Sequence, residues 1–302
     1  MKVLVLGGGD SPEKEVSLRS AKAVADAARE VGYEVLEYDP ANGYEYLDSL
    51  PKDTIVLPIL HGIGGEDGSL QKELEKRGLP FLGSGSKVSA HCFDKWHSLL
   101  AIQAAGMPIA KSDLITRNQF DNHPLSKKPY VLKVVHNGSS IGVLIARDPS
   151  KIKPEEIDEI FDMESPAILE ELVQGTEITA SVLDGKALPI IEIVPPSGEE
   201  FDYDNKYNGA TAEICPPKTV SEDIQKTAKD LAVKIYKLLD CRHLSRTDMM
   251  VRPNGDLAIF DTNTMPGLND QSLFPKSAAA VGLPMPKLVQ KFVEMVTRDY
   301  KL

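Results

Sequence analysis

The chain has 302 residues, 42% of them hydrophobic and 26% charged, the balance of a globular protein long enough for two or three packed units. Its 34 Lys and Arg against 45 Asp and Glu give a formal charge of −11 with no long basic run, which disfavours nucleic-acid binding, where clustered cations must displace counterions. Cys92, Cys215 and Cys241 lack CxxC spacing, which argues for reduced thiols and against a zinc site, and no apolar stretch approaches the ~18–20 residues of a membrane span.

The chain opens on an apolar run, Val3–Leu6, too short for a signal peptide and read as a first buried strand, so the protein is expected to stay in the cytoplasm. Further strands are expected at Glu34–Tyr38 and Thr54–Leu57, with helices over Glu15–Val31 and Leu70–Arg77. That alternation predicts a parallel sheet flanked by helices, with ligands at the carboxyl ends of its strands, where Gly7–Gly9 and His61–Gly68 fall. Pro12 stands where a dinucleotide fingerprint would need its third glycine, so a nicotinamide site is disfavoured. Asp10 or Ser11 is expected to cap a helix with Pro12 in its first turn, leaving Glu15 facing the mouth of the sheet. A carboxylate that merely complements the helix dipole is an equal reading of Glu15.

From Asp94 the pattern changes. A helix over Lys95–Ala105 leads to strands at Tyr130–Val135 and Val143–Ala146, a helix at Pro154–Phe161 and a strand at Ala167–Leu172. Between the first two strands lies Gly138-Ser139-Ser140-Ile141-Gly142, a small hydroxyl-rich loop suited to cover phosphates with its backbone N–H groups. An ordinary surface hairpin would be the plainer reading but for Lys133, which sits on an apolar strand and needs an anion. Strands at Glu177–Leu183 and Ala187–Ile193 follow, then a polar segment, 195–211, and a helix at Glu222–Leu239. Two helical stretches end the chain. Units of 1–93, 94–175 and 176–302 are expected.

The most informative segment is Ser245–Asn263, where Asn254-Gly255 between two apolar runs signals a hairpin. A two-residue turn there sets Asp248 opposite Asp261 and Arg246 opposite Asn263, all four on one side of the ribbon. Two facing carboxylates repel unless a cation lies between them, and Asp248, Asp261 and the Asn263 amide oxygen are hard donors suited to Mg²⁺. An exposed polar face is the alternative. A turn of another length would shift the register by one. Downstream, Pro266-Gly267 forces a turn whose Gly267 N–H can meet an oxyanion beside Arg246. Ser272 marks a helix start, either to receive a substrate carboxylate or simply as a cap.

Taken in order, these segments resemble the D-alanine–D-alanine ligase family of the ATP-grasp superfamily. The resemblance rests on Glu13–Leu18, Leu60–Gly68, Gly138–Gly142, Lys206-Tyr207, Arg246–Asp248 and Asp261–Asn263, and it covers nearly the whole chain. It implies an α/β (α+β) fold of three units, with nucleotide held between the central and C-terminal ones. It implies ATP-dependent joining of two D-alanines through an acyl phosphate, with Mg²⁺ or alternatively Mn²⁺, for peptidoglycan precursor synthesis by a cytoplasmic homodimer. Lys95, Lys133, Ser140 and Lys206 would contact nucleotide phosphates; Glu170, Leu172 and Val173 would line the adenine pocket and Glu177 would hold the ribose. Glu15 would bind the first ammonium with His61 near its carboxylate, Ser139 and Tyr207 would join Glu15, and Ser272 and Leu273 would seat the second carboxylate. Arg246 and Gly267 would steady the oxyanion.

The sequence departs from the family at Asp261 for Glu, Asn137 for Glu and Glu171 for an adenine-touching Lys, and at Met265 and Asn269-Asp270. A sibling ligase taking D-serine or D-lactate second, and a nucleotide-binding protein without turnover, are the competing readings. Lys206-Tyr207 favours an amine acceptor.

Overall fold

A computed structural model describes residues 1–195 and 211–302. Three strands, β1 (Lys2–Leu6), β2 (Glu34–Tyr38) and β3 (Ile55–Pro58), form a parallel sheet in the order β2-β1-β3. Alternation along β1 divides its side chains between two cores. Val3 and Val5 meet one helix, α1 (Lys14–Glu30), whereas Leu4 and Leu6 meet Leu70 and Leu74 of another, α2 (Ser69–Arg77). The helix expected from Pro12 begins later, at Lys14. The Ser11 hydroxyl caps nothing in it: it donates to the His61 carbonyl at 2.7 Å and accepts from Glu13 N–H at 3.2 Å.

Helix α3 (Ser86–Phe93), missed by the pattern, and α4 (Lys95–Ala104), expected over Lys95–Ala105, lead into the second sheet. Its strands β4 (Ser112–Ile115), β5 (Tyr130–Lys133), β6 (Val143–Ala146) and β7 (Ala167–Glu171) run antiparallel in the order β4-β7-β5-β6. A one-turn helix, α5 (Arg117–Phe120), and α6 (Pro154–Met163) cover one face, where Phe120, Ile157 and Phe161 pack on Tyr130, Leu132 and Leu169. Lys133 and Glu170, one residue out of phase, point to the other face.

The third sheet contains β8 (Thr176–Leu183), β9 (Lys186–Ala187), β10 (Ile191–Val194), β11 (Ala212–Ile214), β12 (Leu244–Val251) and β13 (Leu257–Asn263), with the path β11-β10-β8-β12-β13 and β9 beside β8. The single strand expected over Ala187–Ile193 is broken because Pro189 has no N–H to give a ladder. Helix α7 (Glu222–Leu238) buries Ala228, Ala232 and Ile235 against Ile178, Ala180, Met249 and Ile259. Helices α8 (Leu273–Ala279) and α9 (Met285–Tyr300) end the chain. Helix α9 turns back to lie on α1, so Val289, Phe292 and Val296 complete the core beneath β1.

The hairpin β12–β13 carries two irregularities. Arg252 and Asp256 close a three-residue loop, with Asp256 O accepting from Arg252 N–H at 2.8 Å and Gly255 at φ +89°, not the two-residue turn expected. Then a β-bulge between Asp248 and Met249 inserts Phe260, and the register returns to Asp248↔Asp261 and Arg246↔Asn263. The two shifts cancel at the site. They also solve a problem that regular pairing leaves open: Ile259 and Asp261 would share a face, yet Ile259 is fully buried under α7 while Asp261 looks into the cavity opposite.

Candidate active site

A cavity of about 490 Å³ lies where the second and third sheets face each other, closed at one end by the first. On its β5 side Lys133 is buried and its ammonium donates to Glu170 Oε1 at 2.8 Å and to the Phe260 carbonyl at 3.1 Å. Burial pushes the Glu170 carboxyl up while Lys133 opposes it, and Glu170 Oε2 has no hydrogen-bond partner among the described residues. Leu172, Val173 and Glu177 line the same end. Lys95, at the start of α4, donates to the Asn137 carbonyl at the root of the Gly138–Gly142 loop. In that loop Ser139 and Ser140 hold φ of +48° and +61°, a left-handed run that turns successive N–H groups to one side.

The glutamate that enters the cavity is Glu13. It is buried and accepts from the Ser139 hydroxyl, and a Cβ on Gly138 would come within 2.5 Å of its Oε2, so a larger residue there would push the carboxylate aside. Glu15 is exposed and does not line the cavity, against the sequence expectation. The late helix start is the cause: it turns the first glutamate of Glu13-Lys14-Glu15 inward and the second out. Lys206 and Tyr207 lie outside the described residues.

On the opposite wall Asp248 is almost fully buried. Its Oδ1 accepts from Thr179 Oγ1 at 2.6 Å and Arg246 Nε at 2.9 Å, and its Oδ2 from a second Arg246 nitrogen at 2.7 Å. Burial works against the Arg246 charge, but Asp248, Asp261 and Glu66 outweigh it and raise the affinity of the guanidinium for its proton. Asn263 uses its amide NH₂ to donate to Glu66 at 3.2 Å while its oxygen accepts from Met265 N–H at 2.6 Å. Asp248, Asp261 and Asn263 thus offer hard oxygens on a wall with more carboxylate than cationic charge, which suits a divalent cation. Among the described residues no three His, Cys, Asp or Glu side chains are grouped to hold an ion alone, so one here would draw further ligands from phosphate oxygens.

At the end of the cavity formed by the first sheet, His61 is buried between Ser20 and Glu66. Gly267 lies against Ser272, whose Oγ a Cβ there would approach to 2.6 Å. Ser272 stands at the N-cap of α8 without capping it, and Leu273 beside it lines the cavity. Apart from Glu15 and the two undescribed residues, the candidates gather round one space. Glu13 and Glu66 join them unforeseen, and Thr179 supports Asp248 from outside the cavity lining. The two-residue offset of Glu13 was open in the sequence; Thr179, adjacent to Asp248 only through β8–β12 pairing, was not.

A family model described as D-Ala D-Ala ligase C-terminus matches residues 101–294. The D-alanine–D-alanine ligase of Mannheimia succiniciproducens is 38% identical over 97% of both chains, and that of Syntrophobacter fumaroxidans 38% identical over 99% of this chain and 98% of the other. The chain belongs to the D-alanine–D-alanine ligase family. Among solved relatives, the Bacillus anthracis ligase complexed with ATP superposes with a TM-score of 0.84 at 29% identity, covering 100% of this chain and 99% of that one. The VanG D-Ala:D-Ser ligase of Enterococcus faecalis gives 0.78 at 26% identity over 98% and 99%. Within this ATP-grasp fold the departure at Glu171 has a local account: Glu171 takes Arg252, from the hairpin loop, as its ion-pair partner and accepts from Lys111 N–H at 3.1 Å. Burial would raise its pKa, but those partners hold its carboxyl below the usual range.

Proposed function

We propose that this chain joins two D-alanines into D-alanyl-D-alanine at the expense of ATP, supplying a peptidoglycan precursor. The carrying observation is the pairing of Asp248 with Asp261 across the ribbon beside Arg246, on the wall of a cavity whose other sides present Lys133, the Ser139-Ser140 loop and Glu13. A carboxylate is a poor acyl donor because oxide is a poor leaving group, and transfer of a phosphoryl group to it makes an acyl phosphate that an amine can attack.

Asp248, Asp261 and Asn263 would hold Mg²⁺, or Mn²⁺ in its place, which when bound neutralises charge on the transferring phosphoryl group. Lys133, Lys95 and Ser140 would bind phosphates, with Lys206 joining them, while Glu170, Leu172, Val173 and Glu177 would seat the nucleoside. Glu13 takes the role expected of Glu15: a buried carboxylate to receive the first ammonium, aligned by Ser139 and, by resemblance, Tyr207. His61 would meet the first carboxylate, and Ser272 with Leu273 the second. Arg246 gives two of its five N–H bonds to Asp248, leaving three to donate with Gly267 N–H to the oxyanion of the tetrahedral intermediate, about 3–4 kcal/mol where one such donor has been removed elsewhere.

The test is ADP release from ATP and Mg²⁺ with a panel of D- and L-amino acids, with the product analysed. D-Alanine-dependent release with D-alanyl-D-alanine formed is expected. Release independent of D-alanine, or none, would overturn the reading, and a mixed product with D-serine would move the chain to the sibling activity. A homodimer in the cytoplasm is the expected setting; no helix among the described residues is long and apolar enough to cross a membrane.

A further inference from the structure

The buried polar groups behind the two amino-acid subsites form one directional chain. Asn269, in the turn before Ser272, is buried and donates through Nδ2 to Ser20 Oγ at 3.3 Å. Ser20, on α1 and fully buried, lies 3.3 Å from His61 Nε2. His61 Nδ1 faces Glu66 Oε1 at 3.5 Å, and the same carboxylate oxygen accepts from Asn263. For the neutral imidazole the hydrogens have one consistent arrangement. A carboxylate only accepts, so Nδ1 carries the ring hydrogen; Nε2 then holds a lone pair and takes the Ser20 hydroxyl hydrogen; Ser20 Oγ is left to accept from Asn269. At the far end Asn269 is fixed by the turn itself. Its backbone N–H donates to Ser272 Oγ at 3.3 Å, and its Oδ1 accepts from Gln271 N–H at 2.9 Å.

We propose that Ser20 and Asn269 are positioning residues that couple the two amino-acid subsites, locking the His61 ring for the first substrate to the Ser272 turn that seats the second. Neither side chain lines the cavity, so each acts through its neighbour. The role of the chain rests on the ligase reading above; its existence does not. Ser20 and His61 each bond on both sides within the chain, so loss of a middle member leaves a buried donor or acceptor unmatched on either side of it.

Two variants break the chain at different links. Asn269→Asp keeps the acceptor for Gln271 N–H and the size of the side chain but removes the donor to Ser20, whose hydroxyl then turns to the new carboxylate and away from His61. Ser20→Ala removes the hydroxyl outright. The readouts are the imidazole nitrogen resonances of the intact chain made with ring-labelled histidine, assigned among its six histidines by His61→Gln, and the two D-alanine constants resolved from initial rates. Both variants should move the His61 Nε2 resonance in the direction of an unbonded lone pair. Asn269→Asp, made in the second-substrate turn, should raise the constant for the first D-alanine about five- to tenfold, and Ser20→Ala should do the same to the second, with kcat within about twofold. The double variant should be little worse than either single one, as for members of one chain. An unmoved ring resonance, or losses confined to the nearer subsite that add in the double variant, would overturn the coupling. Inactivity of the unmodified chain would overturn the ligase reading instead, and the ring resonance would still decide whether the chain exists.

Discussion

Glu13 and Glu15 are two residues apart, or roughly 200° of helical rotation, and only one can face the substrates. The structure buries Glu13 against Ser139 and the loop glycine and leaves Glu15 in solvent, which supports the proposed role of Glu13. Removing a buried carboxylate that pairs a substrate ammonium costs about 3 kcal/mol, so Glu13→Gln should lower kcat/KM for D-alanine roughly a hundredfold. Glu15→Gln, on an exposed helical face, should stay within about twofold. Initial rates of the two variants check this, and the reverse ranking would put the ammonium elsewhere. The sequence carried the motif but not its phase. Pro12 reads as a first-turn proline, whereas the Ser11 hydroxyl is engaged by the His61 carbonyl across the sheet, a contact 50 positions away that no local pattern announces. Lys133 was legible for the opposite reason: a lysine within an apolar strand states its own need for an anion.

The hairpin β12–β13 shows how an element can be read correctly at its working end through an incomplete account of its middle. The turn signal at Asn254-Gly255 located the ribbon, and the loop is one residue longer than the shortest form. That alone would have moved every downstream pair by one. The extra residue at Phe260 restores the pairing and rotates Asp261 and Asn263 from the α7 face to the cavity face. Bulges leave little trace in a single sequence because the inserted residue can be of any type that suits its surroundings. Deleting Phe260 leaves Asp261 next to Ile259 and, by ordinary alternation, still opposite Asp248 on the cavity face, but it removes the carbonyl that accepts from the buried Lys133 ammonium, a loss of about 1–3 kcal/mol. The shortened chain is expected to unfold at a lower urea midpoint than the parent. A deletion variant with the parental urea midpoint would show that the Phe260 carbonyl contributes nothing to holding Lys133.

At the scale of the whole molecule, the parallel sheet, the loop-bearing sheet and the acidic hairpin follow from periodicity, but the return of α9 onto α1 does not, since an amphipathic helix does not name its partner. His243 sits at the junction this return creates. Its side chain is fully buried, its Nδ1 accepts from Gly83 N–H at 3.0 Å and its Nε2 donates to Asp299 of α9 at 3.0 Å, joining segments 160 and 56 positions away. Burial, helped by Arg242 and Arg298 and opposed by Asp299, pulls the imidazole from its ordinary 6.5 to about 4. Protonation at Nδ1 would also cancel the bond from Gly83. As pH falls below 6.5 the unfolded chain takes up this proton while the folded chain does not, so stability is full above that value and drains away down to about pH 4. The whole shift is worth about 3 kcal/mol, of which about 2 kcal/mol is lost by pH 5. In urea unfolding at pH 7.5 and 5.0, His243→Asn, whose amide oxygen can still accept from Gly83 but cannot titrate, should lose about 2 kcal/mol less than the parent over that interval. Equal losses in the two chains would mean that His243 exchanges its proton alike in both states and that the acid sensitivity of this junction lies in other groups.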